Sequence, residues 1–205
     1  PSPTYTRGAP DSTQPSFSFI DPAHPLASHP DQVWIDGVAQ RQVGTPAEVV
    51  PGTFFHDQPA DRLYVGSDPT AAEVRASDLV KAMSVRAEGV QLSGFGVRRY
   101  APSVPDLGAV TLEQPGITIE QVTITDSATT GLSLLNTGIT VRQVRVAASG
   151  MLGVHGNHAD GVVIDGVVSE GNNTERFNSS PVSGGLKITR SRGVTIRNSI
   201  FRGNA

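Results

Sequence analysis

The stretch richest in side chains able to do chemistry runs from His155 to Arg190. It holds His155, His158, Asp160, Glu170, Asn172, Asn173, Glu175, Arg176, Asn178, Lys187 and Arg190. Glu175 is the best-placed carboxylate for acid–base work, with Asp160 or Glu170 as its partner. Two carboxyl groups about 5–5.5 Å apart suit glycosidic hydrolysis with retention, and about 6.5–9.5 Å suits inversion. The competing reading makes these carboxylates surface or turn-capping groups. Asp160 stands directly before Gly161, where a turn also favours it. Phe177 flanked by Glu175, Arg176 and Asn178 has the mix that grips a sugar, an aromatic face beside polar groups, unless the ring tucks under its own loop. Asn173, His155 and His158 extend this candidate contact set.

Two other chemistries can be read from the same residues. Lys187 with Arg190 could supply the base and charge partner of an elimination beside a sugar carboxylate. Lys187 alternates with Leu186 and Ile188, so it points away from the core, where a plain solvated lysine is equally at home. His155, His158 and Asp160 could suggest a metal, but their spacing does not set them on one face and no further ligand is near. Neither a metal nor a cofactor is expected.

These residues need a scaffold, and the scaffold is periodic. Gly89-Val-Gln-Leu, Gly116-Ile-Thr-Ile, Gly138-Ile-Thr-Val, Gly161-Val-Val-Ile and Gly193-Val-Thr-Ile recur at intervals of 27, 22, 23 and 32 residues. Each is followed by a second short strand: Gly108-Ala-Val-Thr-Leu, Gly131-Leu-Ser-Leu, Gly153-Val-His and Gly185-Leu-Lys-Ile. Two to three strands in coils of about 22 residues describe a stacked solenoid, a right-handed parallel β-helix, better than an antiparallel sandwich. In residues 116–124 the apolar positions 117, 119, 122 and 124 face one way, and the alternation slips between Ile119 and Val122, which predicts a corner. Asparagines after strands, among them Asn136, Asn157, Asn172, Asn198 and Asn204, are expected to bond along the coil axis.

Loop lengths break the period twice. From one strand glycine to the next is 15 residues in the coils starting at 116 and 138, but 24 from Gly161 to Gly185. The nine extra residues lie in 172–184, and a lengthened loop on a regular solenoid is the usual binding wall. Arg99 and Tyr100 enter a second extended loop, Ala101–Leu107. They either frame a groove with the first loop or seal a junction with the residues in front.

Those front residues differ in texture. Residues 1–32 are Pro- and Ser-rich and extended, apart from a short strand over Phe17-Ser-Phe-Ile. Residues 33–83 form a small antiparallel β module. Val33-Trp-Ile answers Val38–Val43 across an Asp-Gly turn, and Pro51–Asp57 answers Arg62–Val65. Val74–Ser77 follows as a further strand, and 78–83 as one helical turn. The β-helix occupies 84–205. Its fifth coil stops before a second strand, so the sequence is expected to continue or its open edge to self-associate. A chain beginning Pro-Ser-Pro-Thr is expected to be a mature product or an excised piece.

Composition excludes several classes. With net charge −3 and no basic block, a nucleic-acid partner is not expected. No apolar run approaches the ~18 residues of a membrane span. The absence of cysteine removes disulfides and thiol catalysis.

Trp34-Ile-Asp-Gly, Pro51-Gly-Thr-Phe-Phe-His-Asp57, Arg62-Leu-Tyr-Val65 and Asp68-Pro69 resemble the β-insertion of bacterial right-handed β-helix proteins related to glycoside hydrolases, of the pectate-lyase-like superfold. The resemblance spans residues 33–205. It implies a secreted or cell-surface protein acting on a polysaccharide or oligosaccharide. That family draws its catalytic carboxylates from later coils, and none is matched here. The same superfold serves lyases, epimerases, tail spikes and adhesins, so a non-catalytic structural or adhesive β-helix and a polysaccharide lyase or epimerase both remain open.

Overall fold

The computed structural model describes residues 19–180 and 182–205. The strand expected over residues 17–20 falls half outside them, and Phe19 and Ile20 lie in a bend. The front module contains β1 (Val33–Ile35), β2 (Val38–Gln42), β3 (Thr53–Asp57), β4 (Arg62–Val65) and β5 (Val74–Ala76), ordered β4-β3-β2-β1-β5 in one sheet. The Asp-Gly turn between β1 and β2 is present, with φ of 48° at Asp36 and 78° at Gly37, the left-handed pair that a two-residue hairpin needs. The sheet is mixed rather than antiparallel, because β2 and β3 run parallel. The chain returns between them through a 3₁₀ turn at Pro46–Glu48, where Thr45 and Glu48 cap one another. Alternating strands cannot show the direction of their pairing, so the sequence had no signal for it. No helical turn forms over 78–83.

From Met83 onward the chain winds into coils of three short strands. The first sheet stacks β6 (Met83–Val85), β9 (Gly108–Leu112), β12 (Thr130–Leu134), β15 (Leu152–Asn157) and β18 (Gly184–Thr189). The second stacks β7 (Gln91–Ser93), β10 (Thr118–Glu120), β13 (Thr140–Arg142), β16 (Val163–Asp165) and β19 (Thr195–Arg197). The third stacks β8 (Gly96–Arg98), β11 (Thr123–Thr125), β14 (Arg145–Ala147), β17 (Val168–Glu170) and β20 (Ile200–Arg202). Every pairing within these three sheets is parallel.

Like side chains therefore pile up along the axis. Ile119, Val141 and Ile164 form one buried column, Val110, Leu132 and Val154 another. Removing one such side chain from water is worth about 1.5–3 kcal/mol, and only stacking makes that burial available. The predicted corner is real. Gln121 and Gln143 hold φ of 54° and 50° between the second and third sheets, in line with Gly94, Gly166 and Asn198 on the other coils. One glycine is out of the anticipated register: Gly108 pairs with Thr130, so Ala109 takes the place that Gly131 and Gly153 fill on later coils. A methyl fits there on the first full coil. On the next, a Cβ at Gly131 would run into Val146. No helix among the described residues is long and apolar enough to cross a membrane.

Candidate functional site

Two loops leave the corner between the third and first sheets, residues 99–107 and 171–183, in place of the four-residue turns at 126–129 and 148–151. The longer loop is anchored before it projects. Asn172 Oδ1 accepts from Ser149 N–H at 3.0 Å, while its Nδ2 donates to Ser169 Oγ at 3.0 Å and to Asn204 Oδ1 at 2.8 Å. This is the asparagine ladder expected along the axis. Asn173 then pins a tight turn: Oδ1 accepts from Phe177 N–H at 2.8 Å and Nδ2 donates to the Phe177 carbonyl at 2.9 Å. Phe177 is driven inward to 3% exposure, against Ile20, Ala27, Met151, Leu152 and Val182. The sugar-stacking role for Phe177 and the contact role for Asn173 are therefore corrected. Both are buried parts that hold the loop's shape, the Phe177 ring covering the loop's underside together with Val182.

What the anchored turn leaves outside is Thr174, Glu175 and Arg176. They form one wall of a cavity of about 620 Å³. The facing wall comes from the front of the chain: His24, Asp31, Arg41, Gln42 and Glu48, with Val33 and Phe54 beneath. The Glu175 N–H donates to the Gly150 carbonyl at 3.0 Å, and the missing side chain at Gly150 leaves room for Glu175 Cγ. Protein crowds the carboxyl on that side, and this desolvation pushes it above the ordinary glutamate range. The side chain is still open to water on the cavity side, which tempers the shift. A carboxyl raised in this way is shifted toward the protonated form that a general acid uses.

Asp31 is held differently. Its side chain is 8% exposed, with Oδ2 3.2 Å from His56 Nδ1 and 3.5 Å from Gln42 Nε2. The His56 contact is one of proximity rather than an aligned hydrogen bond, since Nδ1 has no partner in hydrogen-bonding geometry. Burial pushes the nearby His29 imidazole down, against the opposing pull of the Asp31 charge. Asp31, Gln32, Val33 and Phe54 also line a second cavity, of about 190 Å³, on the other side. Asp31, His24, Arg41 and Glu48 were not singled out from the sequence. The available signal was the pair of His-Pro steps at 24–25 and 29–30, the second followed directly by Asp31.

The other sequence-predicted residues scatter. Asp160 sits in the turn between β15 and β16, exposed, with Oδ1 accepting the Arg192 N–H at 2.7 Å. Between it and Glu175 lies the length of β15, roughly 17–20 Å for six extended residues, so these two carboxylates do not converge. Glu170 faces out from the third sheet, gripped by Arg202 and Arg145 at 2.7 and 2.8 Å. His158 is exposed in the turn after β15, and Arg190 occupies the equivalent turn after β18. His155 and Lys187 are paired neighbours on the outer face of the first sheet. Burial, then the Lys187 charge, pushes His155 down, and burial pushes Lys187 down. Arg99 seals the junction with the front module, its guanidinium 4.6 Å from the Trp34 ring centroid and its carbonyl accepting from Ser77 Oγ at 2.8 Å. Tyr100 is half-buried against the helix core. Neither lines the cavity. Among the described residues no group of three His, Cys, Asp or Glu side chains could hold a metal ion.

Comparison with known proteins agrees with this architecture. The family described as "Right handed beta helix region" matches residues 108–205. Among solved structures the chain is similar to XylC, determined as a complex with xylose, with a TM-score of 0.69 at 13% sequence identity. The match covers 83% of this chain and 39% of that one, so the chain spans about two fifths of XylC. A search of the curated proteins finds no match. At this level of identity the likeness concerns the fold, and on fold the chain is a right-handed parallel β-helix carrying a mixed sheet at its front.

Proposed function

We propose that the chain is the saccharide-holding part of a carbohydrate-active β-helix protein that cleaves glycosidic bonds, with the sugar seated between the front sheet and the 171–183 loop. The observation that carries this reading is the Glu175 carboxyl, raised by desolvation, on the wall of a cavity of about 620 Å³. That volume falls in the range of about 300–1,000 Å³ typical of small-ligand sites. Its lining mixes acceptors (Asp31, Glu48, Glu175), donors (Arg41, Arg176) and two-way amides (Gln40, Gln42) over an apolar floor. Sugars present the same alternation of hydroxyls and C–H faces. In this reading Glu175 is the proton donor and Arg176 a contact residue, while the other carboxylate of the reaction is open. The likeness to XylC, solved with xylose, supports the choice of a neutral sugar.

Calorimetric titration with xylo-oligosaccharides, alongside assays for new reducing ends, tests the proposal. Saccharide binding by the chain that falls at least about tenfold, or about 1.4 kcal/mol, in Glu175→Gln supports it. Binding that is indifferent to Glu175 moves the site elsewhere. A second reading, a lyase, is favoured by one observation: Lys187 lies beside His155 with its ammonium pushed down by burial, as a proton-abstracting base requires. Ultraviolet absorbance of an unsaturated product, lost in Lys187→Met and kept in Glu175→Gln, would establish that reading instead.

A further inference from the structure

The walls of the larger cavity carry three carboxyl groups, Asp31, Glu48 and Glu175, and their surroundings sort them. Asp31 offers little to a reacting molecule, because Oδ1 is closed to water and Oδ2 is turned to His56 and Gln42. Glu48 and Glu175 are both open to solvent and stand on facing walls. Although exposed, Glu48 is anchored. Its Oε2 accepts from the Thr45 N–H at 2.8 Å and from the Thr45 hydroxyl at 3.0 Å, and its own N–H donates to the Thr45 carbonyl at 3.2 Å. Pro46 stiffens this turn, and the Val43 N–H ties its start to the Phe54 carbonyl on β3 at 2.9 Å. Both side-chain bonds fall on Oε2. Capping therefore accounts for one oxygen of Glu48, while Oε1 meets no donor among the described residues and is left for a water or a substrate.

Resting on the cavity reading above, we propose that Glu48 is the second carboxylate of the reaction, the base that activates a water against the sugar seated in front of Glu175. Glu48 Oε1 takes a proton from the water as the water oxygen forms a bond to the anomeric carbon. The bond from that carbon to the glycosidic oxygen breaks, its electron pair stays with the oxygen, and Glu175 gives that oxygen its proton. The products are a reducing sugar and a free sugar hydroxyl, and solvent returns the proton from Glu48 to Glu175. The stereochemistry follows from the placement of the two groups. With a cavity of about 620 Å³ between their walls, a water fits beside the ring and attacks the face opposite the leaving group. That is the inverting arrangement, in which the carboxyls stand about 6.5–9.5 Å apart to admit the water.

The test is cleavage of β-linked xylotriose by the 205-residue chain, followed by proton NMR, with calorimetry for binding. The wild type is expected to release the α-anomer first. Glu48→Gln keeps an oxygen for Thr45 to bond, which guards the fold, and should lose at least about 100-fold in kcat. Its KM should stay within about threefold of the wild type. In Glu48→Ala, added azide should restore cleavage and yield an α-glycosyl azide, a product that a purely structural role for Glu48 cannot give. Glu88→Gln, in an exposed coil turn outside the cavity, should leave cleavage unchanged. Cleavage that Glu48→Gln retains while Glu175→Gln loses it overturns this role and leaves the cavity standing, as does a wild type that binds xylotriose without cutting it. Release of the β-anomer first overturns Glu48 as the base. Cleavage indifferent to both glutamates, or a wild type that neither binds nor cleaves, removes the cavity reading and this role with it.

Discussion

Glu170 and Glu175 are five positions apart, and the molecule treats them in opposite ways. Glu170 stands on a strand of the coil, where the next rungs above and below deliver Arg202 and Arg145. Hydrogen bonds from those arginines, Arg202 first, hold its carboxyl below the ordinary range. Asp165 is held down in the same manner by Asn198 and Arg197. Glu175 stands on the loop that interrupts the coil, and it is pushed up by crowding, with no cation among the described residues to answer it. The stack places each side chain about 4.8 Å from its equivalents, so charges meet partners and are silenced. Perturbed, unpaired groups collect where the repeat is broken and a second structural unit closes over it.

The largest test of this contrast concerns the stack itself. Leu132→Ala empties a fully buried position shared by neighbouring coils and should cost about 3 kcal/mol in urea unfolding. The matching truncation in the front hairpin, Leu63→Ala at 42% exposure, should stay within about 0.5 kcal/mol. Similar losses at both sites would mean that the front module is no less dependent on packing than the coil. Asn172→Ala is the next largest. It strands the Ser149 N–H and releases Asn204 where the loop departs, which should cost about 1–3 kcal/mol. Since Asn172 seats the loop that carries Glu175, any saccharide affinity should drop as well, whereas in Leu132→Ala it should survive at temperatures where the protein remains folded. An Asn172 variant of full stability with unchanged binding would separate loop position from ladder.

The coil was legible because its signal is local and repeated. Gly116-Ile-Thr-Ile and Gly138-Ile-Thr-Val carry their own apolar face and their own corner at Gln121 and Gln143, so reading one coil amounts to reading its neighbour. The slip at Gly108 shows the limit of that reading: a one-residue offset leaves the pattern of types intact while changing which residue sits at the crowded corner. Glu175 and Arg176 were found because an insertion in a periodic sequence can be seen as a length. The rest of the cavity could not be. Asp31 and Glu175 come together only because Gln32 bonds to Asp126 and Asn178 Nδ2 bonds to the Ile20 carbonyl, contacts between distant segments with no periodic trace. Phe177 misled for a related reason. Its neighbours in sequence are polar, and its neighbours in space, Ile20 and Met151, are not.

The smallest effect bears most directly on the two glutamates. Because Glu170 is lowered in the fold, it contributes stability above the ordinary glutamate value of 4.5, and that contribution is lost as pH falls through its folded value. Because Glu175 is raised, the fold is least penalised by it below 4.5 and loses ground as pH climbs through its higher folded value. Melting curves of Glu170→Gln and Glu175→Gln between about pH 3 and pH 7 should therefore diverge from wild type in opposite directions toward the neutral end of the range. Glu170→Gln melts lower than wild type near neutrality and converges with it in acid. Glu175→Gln converges with wild type in acid and melts slightly higher near neutrality. Salt separates the causes further: at about 1 M, where screening acts within about 3 Å, the Glu170 difference should shrink, while the Glu175 difference, set by desolvation, should persist. Two curves displaced in the same direction would mean that the loop carboxylate is no more desolvated than those of the coil, and Glu175 would then lose its standing as a proton donor.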